Sequence, residues 1–371
     1  MRATRALIHL DHLKENIALV TEKTGRAICM PLKAGAYGHG ALELAGAALA
    51  AGVTYLAVAT VGEGTELRQG GIEAPVLLLS IPLPEEIKEL AASDMEPLAG
   101  DGEYIDALDH EAARTGKRIR VHLKIDTGMG RIGCSPAMAP ALASRITKSK
   151  NLMLAGTATH LAVSDSLAPK DRAFTNRQLE VFSAAVEAIK ALGVDPGLVH
   201  AANTGAVTFY SGAWFDMVRP GILLYGYAPK DKTGKAAVPV KPLMELVSSL
   251  VFIKPVARGT TVSYGRIWKA RTGTVIGTIP IGYADGLPRG LGNTWRILAG
   301  GVLRPLAGRI CMDQCMVDLG RDSGLRRWDR VTIFGGKAPH AGVMASLLGT
   351  IPYEITCNIN KRVPRIYIDK N

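Results

Sequence analysis

The sequence predicts a (β/α)8 barrel of the TIM type followed by a mostly-β domain. Three observations carry the prediction. Eight short apolar runs alternate with helix-like stretches over roughly the first 220 residues. Reactive or charged residues recur where those runs end. Past Pro229 the texture changes to β-branched residues, Gly and Pro. The length, 371 residues, is more than one average domain needs. The expected division is residues 1–233 for the barrel and 234–371 for the β domain, separated by the polar stretch Lys230–Lys235.

The elements follow in order. Leu13, Ile17 and Val20 recur at i, i+4 and i+7, so residues 12 to 23 read as a helix. The candidate strands are Ala27–Leu32, Tyr55–Ala59, Val76–Leu79, Met95–Leu98, Arg120–Ile125, Leu152–Thr159, Leu198–His200 and Met217–Val218. Helix-like pieces lie between them, among them Ala41–Ala51, closed by Gly52, and Pro84–Ala92, Tyr104–Thr115 and Asn176–Leu192. A doubly wound open sheet fits the same alternation but usually has fewer strands. In the second domain, Leu246–Val256, Thr272–Ile281, Trp295–Leu298 and Arg330–Phe334 read as strands.

Composition narrows the function. The net charge is +11, but the basic residues are scattered and only 5% of the chain is aromatic, which argues against nucleic acid. The five cysteines are odd in number and form no Cys-x-x-Cys pair, so neither a disulfide framework nor a metal site is expected. No apolar window reaches membrane-spanning length, and the N-terminus carries charges where a signal peptide needs an apolar core. The expected setting is cytoplasmic, without a membrane partner.

Chemistry concentrates at the strand ends. The first barrel run delivers Lys33 into a glycine-rich turn containing Gly35, Gly38 and Gly40. A lysine placed there loses water, which lowers its pKa and makes the amine a better nucleophile. Other strand ends carry Asp126 leading to Arg131, then His160, Asn203-Thr204 and Arg219. The loops after the last two strands are the usual phosphate cradle of a barrel. Thr204 offers a hydroxyl there, and Gly221 and Ile222 offer backbone N–H groups. A lysine and a phosphate cradle in one barrel mouth suit pyridoxal 5'-phosphate held as a Schiff base.

At this point the sequence resembles a known family. His122-Leu123-Lys124-Ile125-Asp126-Thr127-Gly128-Met129-Gly130-Arg131, together with Lys33 and Tyr37-Gly38-His39-Gly40, strongly resembles bacterial alanine racemase. The likeness continues through Thr159-His160, His200-Ala201-Ala202-Asn203 and Val218-Arg219-Pro220-Gly221-Ile222. In the β domain it includes Val262-Ser263-Tyr264-Gly265, Gly282-Tyr283-Ala284-Asp285-Gly286, Cys311-Met312-Asp313 and Arg362-Val363-Pro364-Arg365.

The resemblance implies a racemase that interconverts L- and D-alanine, with D-alanine destined for peptidoglycan. It implies that Lys33 binds pyridoxal phosphate and acts as one of two bases. Tyr264 is then the other, supplied by the second subunit of a homodimer with shared sites. Tyr37, Leu79, His160, Asn203, Thr204, Gly221, Ile222 and Tyr353 correspond to cofactor-binding positions. Arg219 corresponds to the partner of the pyridine nitrogen, where a permanent cation discourages protonation of the ring. Arg131, Met312 and Asp313 correspond to substrate-binding positions. Lys124 corresponds to a lysine that is often carbamylated and then orients Arg131. Asp165, Tyr283, Arg289, Arg309 and Ile351 correspond to an entry corridor. Two positions depart from the family pattern: Thr204 stands where serine is usual, and Gly35 replaces a frequent asparagine.

Three other readings share these features. The same chemistry could act on serine or lysine. A fold-related amino-acid decarboxylase would want a carboxylate at the pyridine nitrogen, which Arg219 argues against. A non-catalytic pyridoxal phosphate carrier resembles the barrel alone.

Overall fold

The computed structural model describes residues 2–369. The chain forms two compact units, one made of residues 13–36 and 41–241, the other of residues 2–12, 37–40 and 242–369. Among the described residues no helix is long and apolar enough to cross a membrane.

The second unit begins with β1 (Arg5–His9). The eight barrel strands follow in the first unit: β2 (Ala27–Pro31), β3 (Tyr55–Val58), β4 (Val76–Leu78), β5 (Met95–Ala99), β6 (Ile119–Lys124), β7 (Leu152–Ala158), β8 (Leu198–His200) and β9 (Met217–Val218). They run parallel in the order β8-β7-β6-β5-β4-β3-β2-β9. Backbone bonds from Asp216 to Val199 and from Arg219 to Ala202, at 3.0 and 2.8 Å, join the two end strands and bring the sheet nearly to closure. Each of the eight expected barrel strands is found, with ends that differ by at most one residue. All four residues of β3, and four of the five in β2, are buried. That is why these strands read as continuous apolar runs instead of alternating ones.

Cys29, Tyr55, Ala57, Leu77, Leu98, Ala158 and Met217 fill the barrel interior, with Leu79 packed against them. Outside lie the helices. The first spans Leu10–Thr24 and buries Leu13, Ile17 and Val20. The expected helix Asn176–Leu192 is longer, Pro169–Ala191, because Pro169 starts it. Pro84–Ala92 divides into a 3-10 turn, Pro84–Glu86, and a helix, Ile87–Ala92. The helices Val61–Gln69 and Ala139–Lys148 are among those with no counterpart in the sequence reading.

The second unit is built on a six-stranded sheet. Its strands are β1, β10 (Met244–Ser249), β15 (Arg296–Ala299), β16 (Val302–Pro305), β18 (Arg330–Phe334) and β19 (Arg365–Ile368), in the order β16-β15-β18-β10-β1-β19. A three-stranded sheet contains β11 (Phe252–Val256), β14 (Thr274–Ile279) and β17 (Cys315–Gly320). A ribbon pairs β12 (Thr261–Val262) with β13 (Trp268–Lys269). The single run expected at Leu246–Val256 is therefore two strands in different sheets.

Candidate active site

Lys33 follows β2 and opens a helical turn, Lys33–Gly38, of unusual hand. Ala34, Gly35, Ala36 and Tyr37 have φ of +53°, +59°, +54° and +50°, and Gly38 has +83°. This is a left-handed turn, and each non-glycine residue in it costs about 1–2 kcal/mol. Gly35 avoids that cost, and a side chain there would meet nothing within 4 Å. Glycine at this position therefore suits the backbone, as asparagine also would. The turn is held in place by hydrogen bonds. Ala36 donates to Leu32 O at 2.6 Å, and Ala34 donates to Glu63 Oε1 at 2.6 Å. The other oxygen of Glu63 accepts from Ala59 and Thr60 at 2.8 and 3.2 Å, and Thr60 caps the helix Val61–Gln69. Glu63 was not singled out from the sequence, because its role depends on a contact 29 residues away.

Arg219 follows β9 and is buried. Its guanidinium donates to His200 Nδ1 at 2.5 Å, to Thr159 O at 2.7 Å and to Ala201 O at 3.2 Å. Burial lowers its pKa only to about 10, so it stays a cation. His160 follows β7 among positive charges. Burial, then Arg219, Lys124, Arg131 and Lys33, push its pKa down to about 3, which keeps it neutral. Gln178, also missed in the sequence, fixes this rim: Nε2 donates to His160 O and Thr127 Oγ1 at 3.2 and 3.3 Å, and Oε1 accepts from Ala162 at 3.0 Å.

Lys124 ends β6, buried, with Nζ donating to Ile125 O at 3.0 Å. Burial first, then Arg219, push its pKa down to about 7. The loop beyond it is tied at its base by Cys134 N to Lys124 O and Asp126 N to Cys134 O, both at 2.9 Å. Asp126 accepts from Gly128 and Gly130; these bonds outweigh the opposing effect of burial and keep its carboxyl ionised. Arg131 sits exposed in this loop.

The loops after β8 and β9 each start a short helix, Thr204–Phe209 and Gly221–Leu224. Asn203 caps the first by accepting from Ala206, and also donates to Leu161 O at 3.0 Å. Thr204 Oγ1 accepts from Leu223 N at 3.4 Å, so the two loops touch through that hydroxyl. The Gly221 N–H is engaged by Arg219 O at 2.8 Å. Asp165 is exposed nearby, where Gly205 allows residues 164–165 to approach its backbone.

In the second unit, the rings of Tyr37 and Tyr353 meet edge to face, with centroids 5.2 Å apart. Tyr264 lies on a tight turn where Ser263, Gly265 and Arg266 all have positive φ, and it is 71% exposed. Ser263 Oγ donates to Arg309 O at 2.6 Å, which joins this turn to the loop carrying Met312 and Asp313. Tyr283 donates its backbone N–H to Cys311 O at 3.0 Å. Arg362 bonds Asp285 at 2.6 Å and Asp313 at 2.8 Å, bracing the same loop. Tyr283, Arg289, Met312 and Ile351 are exposed on this unit.

Similarity to known proteins decides the family. The alanine racemase N-terminal domain matches residues 8–229, and the alanine racemase C-terminal domain matches residues 243–367. The chain belongs to the alanine racemase family. It is 51% identical to alanine racemase of Treponema denticola, across 100% of this chain and 99% of that protein. The identity to alanine racemase of Treponema pallidum is 44%, across 99% and 100%. Among solved structures, alanine racemase of Clostridium difficile 630 superposes with a TM-score of 0.94 at 34% identity, covering 100% of this chain and 97% of that one. An alanine racemase from a Streptomyces lavendulae that produces D-cycloserine gives 0.92 at 33%, covering 100% and 98%. The barrel followed by a β-rich domain is the architecture of this family, as the sequence predicts.

Proposed function

We propose that this chain racemises alanine with pyridoxal 5'-phosphate, in the cytoplasm, as a homodimer that supplies D-alanine for peptidoglycan. The observation that carries the reading is Arg219, a buried cation with fixed hydrogen bonds, on the same rim of strand ends as Lys33. The donor set fits the cofactor. An amine at a strand end suits its aldehyde carbon, and a guanidinium that keeps its charge suits an unprotonated ring nitrogen. The Thr204 hydroxyl and the starts of two helices suit its phosphate, which would have to draw the Gly221 N–H away from Arg219 O.

Lys33 would hold the cofactor carbon, Arg219 the ring nitrogen, and Thr204, Gly221, Ile222, Tyr37 and Tyr353 the phosphate. His160, Asn203 and Leu79 would shape the ring's surroundings. When bound, the cofactor withdraws electrons from the substrate's α-carbon and makes its C–H acidic. The chain's own groups then move the proton. Lys33 Nζ would serve one face of the α-carbon, and Tyr264 Oη, from the partner subunit, the opposite face. Its exposure supports that role, since a tyrosine meant for another subunit must stand out from its own. Arg131, the Met312 backbone and Asp313 would receive and orient the substrate carboxylate. Asp165, Tyr283, Arg289, Arg309 and Ile351 would line the way in.

Lys124 would add carbon dioxide to its neutral amine and release a proton, giving a carbamate anion that orients Arg131. A pKa near 7 keeps the reactive neutral amine abundant.

The test is racemisation of L-alanine, L-serine and L-lysine by the purified protein with pyridoxal phosphate, with its visible absorbance recorded in parallel. Rapid loss of optical activity with alanine, slow turnover of the others and a Schiff-base band are expected. A band without racemisation, or carbon dioxide release from a basic amino acid, would overturn the proposal.

A further inference from the structure

We infer that Glu96 and His122, deep in the barrel, are positioning residues that orient Arg219 through a one-way chain of hydrogen bonds. The inference rests on the reading above that Arg219 serves the cofactor ring.

The direction follows from donor chemistry. Arginine has no acceptor, so His200 Nδ1 must accept from Arg219. His200 then carries its proton on Nε2, which lies 2.9 Å from His122 Nδ1. His122 Nδ1 accepts, so its own proton sits on Nε2 and is donated to Glu96 Oε2 at 2.8 Å. Glu96 Oε1 accepts from Arg120 Nε at 2.6 Å, and Arg120 also reaches Tyr55 Oη at 3.2 Å. Each link dictates the next, from a guanidinium at the rim to a carboxylate in the interior.

Both imidazoles are fully buried and Glu96 is 4% exposed. A second proton on either ring would set one N–H against another, or against the guanidinium. Neither ring can flip without losing both its bonds. Burial and the Arg219 charge likewise favour the neutral rings.

Barrel interiors are ordinarily filled by layers of branched apolar side chains. Burying a carboxylate and a guanidinium there is poor value for stability, since apolar residues of similar volume do as well or better. What the chain provides is a fixed orientation. Arg219 is held by His200 on one nitrogen and by two carbonyls on the other, and His200 is held in turn by the carboxylate two links away.

The test is Glu96→Gln in the holoenzyme, with nitrogen-15 NMR of labelled histidine. An amide cannot accept from both Arg120 and His122, and if its NH2 faces His122 the proton there moves to Nδ1, against His200. In the wild-type protein both rings should be neutral with the proton on Nε2. In Glu96→Gln the two tautomer signals should change. Per bound cofactor, kcat for alanine should fall about tenfold or more while KM stays within about twofold.

Wild-type rings that are charged or protonated on Nδ1 would overturn the inference even if the variant does not fold. So would unchanged tautomers, an unchanged kcat, or a change confined to KM. Failure of the wild-type enzyme to racemise alanine would refute the proposed function alone, because the wild-type tautomers still report on the chain.

Discussion

Ala34 donates its backbone N–H to Oε1 of Glu63 at 2.6 Å, while the other carboxylate oxygen receives Ala59 and Thr60. One side chain thus anchors the left-handed turn after Lys33 and closes the capping box of a barrel helix. Glu63→Ala should lower stability by about 1–3 kcal/mol, since three donors lose their acceptor. It should also weaken cofactor retention. Denaturant unfolding and the cofactor content after dialysis measure the two effects. Retention equal to wild type would separate the turn from cofactor binding.

Gly35 tests the hand of that turn. With φ at +59° and open space around it, Gly35→Asn should cost less than about 1 kcal/mol, whereas Gly35→Val should cost more than about 1 kcal/mol. Thermal melting ranks the two variants, and equal costs would contradict a left-handed backbone there.

Lys124 should make stability depend on pH. Its folded pKa near 7 lies below the ordinary 10.5, so the unfolded chain binds the extra proton between those values. Stability from this group therefore rises with pH from about 7 to about 10.5, by up to about 1.4 kcal/mol per pH unit, with the full penalty present below about 7. Lys124→Met should flatten that slope and melt higher under acidic conditions. Unfolding in buffer free of carbon dioxide, which keeps the amine unmodified, measures it.

Tyr264→Phe should act on one enantiomer. If Tyr264 takes the proton from L-alanine, exchange of its α-deuterium should fall about a hundredfold or more. Exchange from D-alanine, served by Lys33, should fall far less. Equal losses from both enantiomers would remove the two-base assignment.

The barrel was legible because its strands are buried on both faces and read as apolar runs between helices. Reactive residues at the strand ends, Lys33 and Arg219 above all, marked the mouth. What stayed hidden depends on distant pairing. β1 is a five-residue run with no local sign that its neighbours are β10 and β19. The helix Val61–Gln69 contains two glycines and little apolar periodicity, and is set by its Thr60–Glu63 capping box. The left-handed turn was visible only as a cluster of glycines, since Ala34, Ala36 and Tyr37 seldom adopt such a backbone. His122 and Glu96 meet between neighbouring strands and Gln178 reaches the rim from the helix Pro169–Ala191, contacts that spacing along the chain does not reveal.

The sheet order β10-β1-β19 sets Arg5–His9 beside Arg365–Ile368. Among the described residues β19 pairs in its sheet with β1 alone, Leu7 opposite Ile366 and Ile8 opposite Tyr367. During synthesis β1 must wait for β19 before that pairing can form. A fragment starting at residue 242 would lack the strand between β10 and β19 and present two unsatisfied edges, an invitation to self-association.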